Sequence, residues 1–221
     1  LDDVARINGS PLMPRITIWH ALNQRAIARR FAREHGTRYE DLNLIMTHLG
    51  GGISLAAHHK GRAIDANNAL TGEGPFSPER SGTLPVGPLI DLCYSGKYTH
   101  EQMIKYVTSE SGLLALLGTN EVPIILERIN NGDKKAELVL NAMIYQVAKG
   151  IGGLAPVLYG KVDAIILTGG IAHSEYVTSR ITKRVDFIAP VYVYPGEDEL
   201  TALALNALDA MRGEQPLRVY K

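Results

Sequence analysis

Between Asn43 and Pro85 the chain reads NLIMTHLGGGISLAAHHKGRAIDANNALTGEGPFSPERSGTLP. An apolar run, Leu44 to Met46, leads through Thr47 and His48 to three consecutive glycines, Gly50, Gly51 and Gly52. An alternating run through Ile53, Leu55 and Ala57 follows, then His59-Lys60-Gly61, then a short run through Ala63, Ile64 and Asp65. Period-two patterning broken by glycine-containing turns predicts strand, tight turn, strand, hairpin, strand. Glycine has no Cβ and tolerates positive φ, so a polyanion can come close to the N–H groups of such a turn. Ser54 and His48 flank those donors. Two readings are open at this point: a phosphate-binding turn, or a hairpin whose glycines serve geometry alone.

The charge balance narrows the class. Twenty-three basic residues offset 23 acidic ones, so neither a nucleic-acid footprint nor a membrane-surface patch is expected. Hydrophobic residues make up 45% of the 221 positions, enough core for one large domain or one and a half. The lone cysteine, Cys93, cannot form an intrachain disulfide and suits a reducing compartment; it is expected to pack beside Leu92. No uninterrupted apolar run is long enough to span a bilayer, and the opening LDDVARING lacks the regions of a signal peptide. A soluble cytoplasmic protein is expected. The first residue is Leu rather than Met, which fits a processed or truncated product.

Ahead of the strands, Ile18, Leu22, Ala26, Ile27, Ala28 and Phe31 recur at helical spacing, with Arg25, Arg29, Arg30 and Arg33 on a solvated face and Gly36 as the stop. His20 either caps this helix or faces a site; the cap is the simpler reading. After the strands, the segment from Asn67 to Pro88 is rich in Gly and Pro, a kind of long loop that is often functional. Within it Arg80 stands between Pro78 and Gly82. It either holds charge over a reacting centre or pairs at the surface with Glu73 or Glu79. Short helices are predicted over Leu89–Tyr94, Thr99–Val107 (Thr99 as cap), Leu113–Leu117 and from Asn120. A long one starts at the cap Asp133 and runs through Tyr159. The buried strand Val162–Thr168 ends in Gly169-Gly170-Ile171 before a helix near Ser174, a frequent nucleotide seat but a weak signal alone. The strand Phe187–Tyr194 and the turn Pro195-Gly196 lead to a last helix. Glu197, Asp198 and Glu199 in its first turn either complement the helix dipole or serve Mg²⁺. The order gives an α/β fold, a mixed sheet in which three antiparallel strands are followed by strand, helix, strand, helix, with helices packed on it.

HLGGGIS, DANNALTGEGPFSPERSGTLP, LTGGIAHS and PGEDELTALA together resemble the butyrate-kinase branch of the acetate kinase family, within the acetate and sugar kinase, heat-shock protein and actin superfamily. The resemblance runs over nearly the whole chain. It implies a ribonuclease-H-like core with helices on both faces. It also implies transfer of the ATP γ-phosphoryl group to the carboxylate of a short-chain fatty acid, butyrate, giving butyryl phosphate and ADP. On it, His48 and Gly50, Gly51 and Gly52, with Ser54 beside them, correspond to a phosphate-binding turn. Arg80 corresponds to an arginine beside the transferring phosphoryl group, and His20 to a histidine of the family's HGTSH segment. Gly169, Gly170 and Ile171 correspond to the adenosine turn, and Asp198 or Glu197 to the acidic residue associated with Mg²⁺. Two departures favour the butyrate-type branch over acetate: Gly51 replaces the Asn of HLGNG, and Thr83 replaces the Asp of GTRSGD. The family's first phosphate motif does not precede Asn43. The resemblance therefore implies that residues 1–40 end an N-terminal domain with its interdomain helix, that residues 41–221 form the C-terminal nucleotide-binding domain, and that the chain is the C-terminal part of a longer, homo-oligomeric enzyme. The rival expectation is an ATP-binding module of the same superfamily without acyl-phosphate chemistry.

Overall fold

A computed structural model describes residues 1–196 and, beyond them, residues 204, 207, 208 and 210–213. Its centre is a five-stranded sheet built from β1 (Asn43–Leu49), β2 (Ile53–His59), β3 (Arg62–Ala66), β4 (Ala164–Gly169) and β5 (Val191–Pro195), in the order β3-β2-β1-β4-β5. The first three strands are antiparallel neighbours; β4 and β5 add in parallel to β1. The α/β mixed-sheet expectation is met. β1 is longer than its apolar run, because Thr47 and His48 continue the ladder opposite Leu55 and Ser54.

Alternation along the strands assigns each face a layer of helices. Ile45, Leu55, Ala57, Ile165 and Leu167 share a core with α6 (Lys134–Leu154) and α7 (Glu175–Val185). Leu44, Met46, Ala164 and Ile166 point the other way, onto Ile27, Ala28, Phe31 and Ala32 of α1 (Ala21–Glu34). By the same alternation His48, Ser54 and His58 lie on the face that α1 covers, which decides where the polar chemistry sits. α6 is long and apolar enough to cross a bilayer by composition alone, but Leu140, Met143, Val147 and Ile151 are fully buried in the first of these cores. It is a core helix.

Between β3 and α6 lie α2 (Val86–Cys93), α3 (His100–Ser109), α4 (Gly112–Leu117) and α5 (Val122–Asn130). Thr99 caps α3 through a reciprocal capping box with Gln102, and Asp133 caps α6 by accepting from the Ala136 N–H, as the sequence suggests. Three expectations fail. α6 stops at Leu154 rather than Tyr159, since Pro156 cannot continue it and Tyr159 turns left-handed at φ +54°. Cys93 is exposed rather than packed, because α2 buries none of its residues. Phe187 is exposed too: β5 begins only at Val191, after Pro190, and Phe187 lies in the connection from α7.

Candidate active site

The parallel register of β1 and β4 pairs His48 with Thr168, so both strands end side by side and both release a glycine turn at the same edge. Gly169, at φ +93°, is pressed on β1: a Cβ there would lie 2.4 Å from the Leu49 carbonyl oxygen. Only glycine permits both that φ and that approach. Past it, Gly170 has nothing within 4 Å of where a Cβ would stand. Gly170–His173 form a short 3₁₀ turn, and Ser174 then caps α7 by accepting from the Val177 N–H. The glycine pair therefore precedes the helix by a full turn instead of opening it. This edge, at the carboxyl ends of the parallel strands, is where open α/β sheets hold ligands.

The other glycine turn is narrow. The Gly50 N–H donates to the Gly52 carbonyl at 3.2 Å, and Gly51 is exposed. The loop that follows β3 folds back over it. Ser77 Oγ donates to the Gly51 carbonyl at 2.5 Å and accepts from the Arg80 N–H at 3.1 Å. The Arg80 guanidinium lies on Gly52, where a Cβ would stand 2.0 Å from Nη1. Nη1 donates to the Ala69 carbonyl at 2.7 Å, while the buried Nε has no hydrogen-bond partner among the described residues. The surface-pair alternative does not hold. Glu73 pairs instead with Arg15 at 2.7 Å, and Glu79 accepts from Asn120 Nδ2 at 2.6 Å. A guanidinium with a buried donor to spare, laid across an open glycine turn, is suited to an anion.

The histidines meet beside this turn. His20 occupies the N-cap position of α1 but makes no side-chain cap bond, so the capping role is not found. Its Nδ1 lies 2.9 Å from Ser54 Oγ, and its ring stacks on His48 with centroids 3.8 Å apart and planes 15° from parallel. The Ala69 N–H donates to the Ile18 carbonyl at 2.8 Å, which ties the segment before α1 to the loop that carries Arg80. His48 Nδ1 is 3.1 Å from Asn23 Oδ1, and burial pushes the His48 pKa down to about 4, leaving the ring neutral at pH 7.

Sequence reading missed Asn23 and Gln24. It placed Ile18 and Leu22 on the inner face of α1, yet both are 48% exposed while Asn23 and Gln24 are buried. The spacing was available: Asn23 leads the row Ile27 and Phe31, and Gln24 leads Ala28 and Ala32, each at four-residue steps. Ser77 was missed as well, being one serine in a loop rich in Gly and Pro. Glu197 and Asp198 lie outside the described residues. Among the described residues no group of three or more His, Cys, Asp or Glu side chains could hold a metal ion.

A cavity of about 650 Å³ opens at the opposite end of the sheet, between the start of the chain (Asp2, Val4), Asn43, Asp65 and the turn after α6. It is remote from the glycine turns, since Asn43 begins the strand that Gly50 follows.

Comparison with known proteins gives the family of the chain. The profile of the Acetokinase family matches residues 17–192. The chain belongs to that family. Its relatives include a probable butyrate kinase of Bacteroides thetaiotaomicron, 66% identical over 221 residues, which are all of this chain and 63% of that protein. The chain thus spans about three fifths of the length of the curated relative it matches. Among solved structures, the acetate kinase of Porphyromonas gingivalis superimposes with a TM-score of 0.84 at 22% identity, over 97% of this chain and 61% of that one. A propionate kinase from Francisella tularensis gives 0.80 at 18%, over 91% and 59%. At those identities the structures speak for the fold alone. It is the acetokinase fold, with both glycine turns at one edge and Arg80, His20 and His48 gathered on one of them.

Proposed function

We propose that this chain carries the nucleotide-binding and phosphoryl-stabilising part of an ATP-dependent carboxylate kinase that converts a short-chain fatty acid, butyrate in the first instance, to its acyl phosphate with release of ADP. The observation that carries the reading is the Arg80 guanidinium lying on Gly52 with its buried Nε unpaired. Identity of 66% to a probable butyrate kinase supports butyrate as the acid.

A carboxylic acid with a pKa near about 4 to 5 is already ionised at pH 7, so attack on phosphorus needs no strong base. The difficulty is the meeting of two anions and the spread of charge over the transferring group in a loose transition state. In this reading the N–H groups of Gly50 to Gly52 receive the terminal phosphates, with Ser54 beside them. Arg80, His48 and His20 stabilise the group in transfer, and Gly169, Gly170 and Ile171 seat the adenosine. His48, held neutral, contributes hydrogen bonding and not charge. Mg²⁺ would neutralise phosphate charge, and its proposed partners are Glu197 and Asp198. The division of the chain at about residue 40 belongs to the same reading, with the remainder of the acyl pocket on another part of the protein. So do a cytoplasmic location and a homo-oligomer. The exposed apolar α2, with Val86 and Ile90 uncovered, offers a face for assembly.

The test is trapping of the acyl phosphate as its hydroxamate, using the full-length protein with ATP, Mg²⁺ and a series of linear acids. The reading expects product with butyrate above acetate, since the pair of methylenes that separates them is worth about 1–3 kcal/mol for each methylene. ATP hydrolysis without trapped product would favour an ATP-binding module lacking acyl-phosphate chemistry.

A further inference from the structure

A hydrogen-bonded chain runs beneath α1 from the candidate site into the core, and one fixed point settles the direction of every link. The Ser54 backbone carbonyl can only accept. It lies 3.3 Å from the end of the Gln24 amide that is therefore the NH₂, and the same nitrogen donates to Ser54 Oγ at 2.9 Å. Gln24 Oε1 then faces His58 Nε2 at 3.3 Å, so that nitrogen carries a proton. His58 Nδ1 is left to accept from the Tyr39 hydroxyl at 2.6 Å. The titration of both end groups agrees. Burial, with Arg25 adding to it, pushes the His58 pKa down to about 3, and burial pushes Tyr39 up to about 12. One is neutral and the other protonated across the physiological range.

At the opposite end, Ser54 Oγ accepts from Gln24 Nε2 and from the His20 backbone N–H at 3.4 Å. A hydroxyl has two lone pairs and one hydrogen. With both lone pairs engaged, the hydrogen points at His20 Nδ1, 2.9 Å away. We propose that Gln24 is a positioning residue: through Ser54 it fixes His20 as the Nε2–H tautomer, so that the imidazole edge facing away from Ser54 offers a hydrogen-bond donor and not a lone pair. The use of that donor, to bind a phosphoryl oxygen, rests on the kinase reading; the tautomer itself does not.

The experiment is ¹⁵N-histidine NMR of the protein, assigning the protonated ring nitrogen of His20 and His58. Both are expected as Nε2–H. In Gln24→Glu, recorded above the pH at which the buried side chain ionises, the carboxylate can only accept, so the Ser54 hydroxyl turns towards it and His20 switches to the Nδ1–H form. Acyl-phosphate turnover is then expected to fall by about 10²-fold, as for loss of one oriented donor. In a Ser54→Ala background the same change at position 24 is expected to leave the His20 signal where it was. Should Gln24→Glu fail to fold, Ser54→Ala alone serves, with His20 expected to become a mixture of tautomers. An Nδ1–H His20 in the wild type, a switch that persists without Ser54, or a Ser54→Ala protein whose His20 stays wholly Nε2–H overturns the proposal. If the tautomers are as expected and no acyl phosphate forms, the kinase reading fails and this one stands.

Discussion

Arg80 Nη1 stands 2.0 Å from the point that a Cβ on Gly52 would occupy. The guanidinium and the glycine turn therefore fill one volume between them, and each is shaped by the other. Gly52 has an ordinary backbone conformation, since it is absent from the positive-φ glycines, so its lack of a side chain serves Arg80 and not the turn.

Gly52→Ala is accordingly expected to displace the guanidinium while sparing the fold. The atoms within 3.0 Å belong to the far end of a flexible side chain, with the Ala69 carbonyl oxygen next at 3.3 Å, so stability should change by no more than about 1–2 kcal/mol. Acyl-phosphate turnover should fall by about 10² or more. Urea denaturation beside the hydroxamate assay separates the two effects.

Gly169→Ala should act on the fold itself. Its φ of +93° and the Leu49 backbone 2.4 Å away leave no room for a methyl group. Strain of about 1–3 kcal/mol for the dihedral adds to the clash between two strand ends, and a loss of about 3 kcal/mol or more is expected in the urea midpoint, with or without nucleotide.

Ser77 joins the two halves of the arrangement, donating to the Gly51 carbonyl and accepting from the Arg80 N–H. Ser77→Ala leaves the Arg80 amide without that acceptor, at a cost of about 1–3 kcal/mol. It should lower turnover more than it raises the KM for ATP if Arg80 acts in the transition state as proposed. Steady-state kinetics at saturating acid give the split.

Acid stability should report the buried imidazoles. His48 and His58 titrate near about 4 and about 3 when folded, against about 6.5 when unfolded. Above pH 6.5 both are neutral in either state and add no pH dependence. Below it the unfolded chain binds more protons, so stability falls as pH drops from 6.5 towards 3–4, by up to about 1.4 kcal/mol per pH unit for each histidine. In His58→Gln the slope between pH 6 and pH 4 should shrink by one histidine's share, measured by urea denaturation at each pH.

Much of this was legible in the sequence wherever local chemistry and burial agree. Thr99 and Asp133 cap because a short oxygen side chain precedes an apolar helical row. The strands around Gly50–Gly52 alternate because one face of each meets one helical layer. The reading failed where a polar side chain belongs inside. Asn23 and Gln24 sit on the inner face of α1 since His48, Ser54 and His58 wait for them on the sheet, and hydrophobic periodicity assigns amides to solvent. It also failed at His20, whose position at the helix start suggests a cap but whose ring is held by Ser54 and His48. Arg80 was found with two readings open. The choice between them needed the positions of Glu73 and Glu79, whose partners, Arg15 and Asn120, lie far off in the chain.

The central claim, that Arg80 and the Gly50–Gly52 turn stabilise one transferring anion, is tested most directly by the turnover of Arg80→Ala in the full-length protein, with and without added guanidinium. The account predicts a fall in kcat of about 10²–10³, with partial recovery as guanidinium fills the vacated volume on Gly52. Turnover at the wild-type level in Arg80→Ala would contradict it.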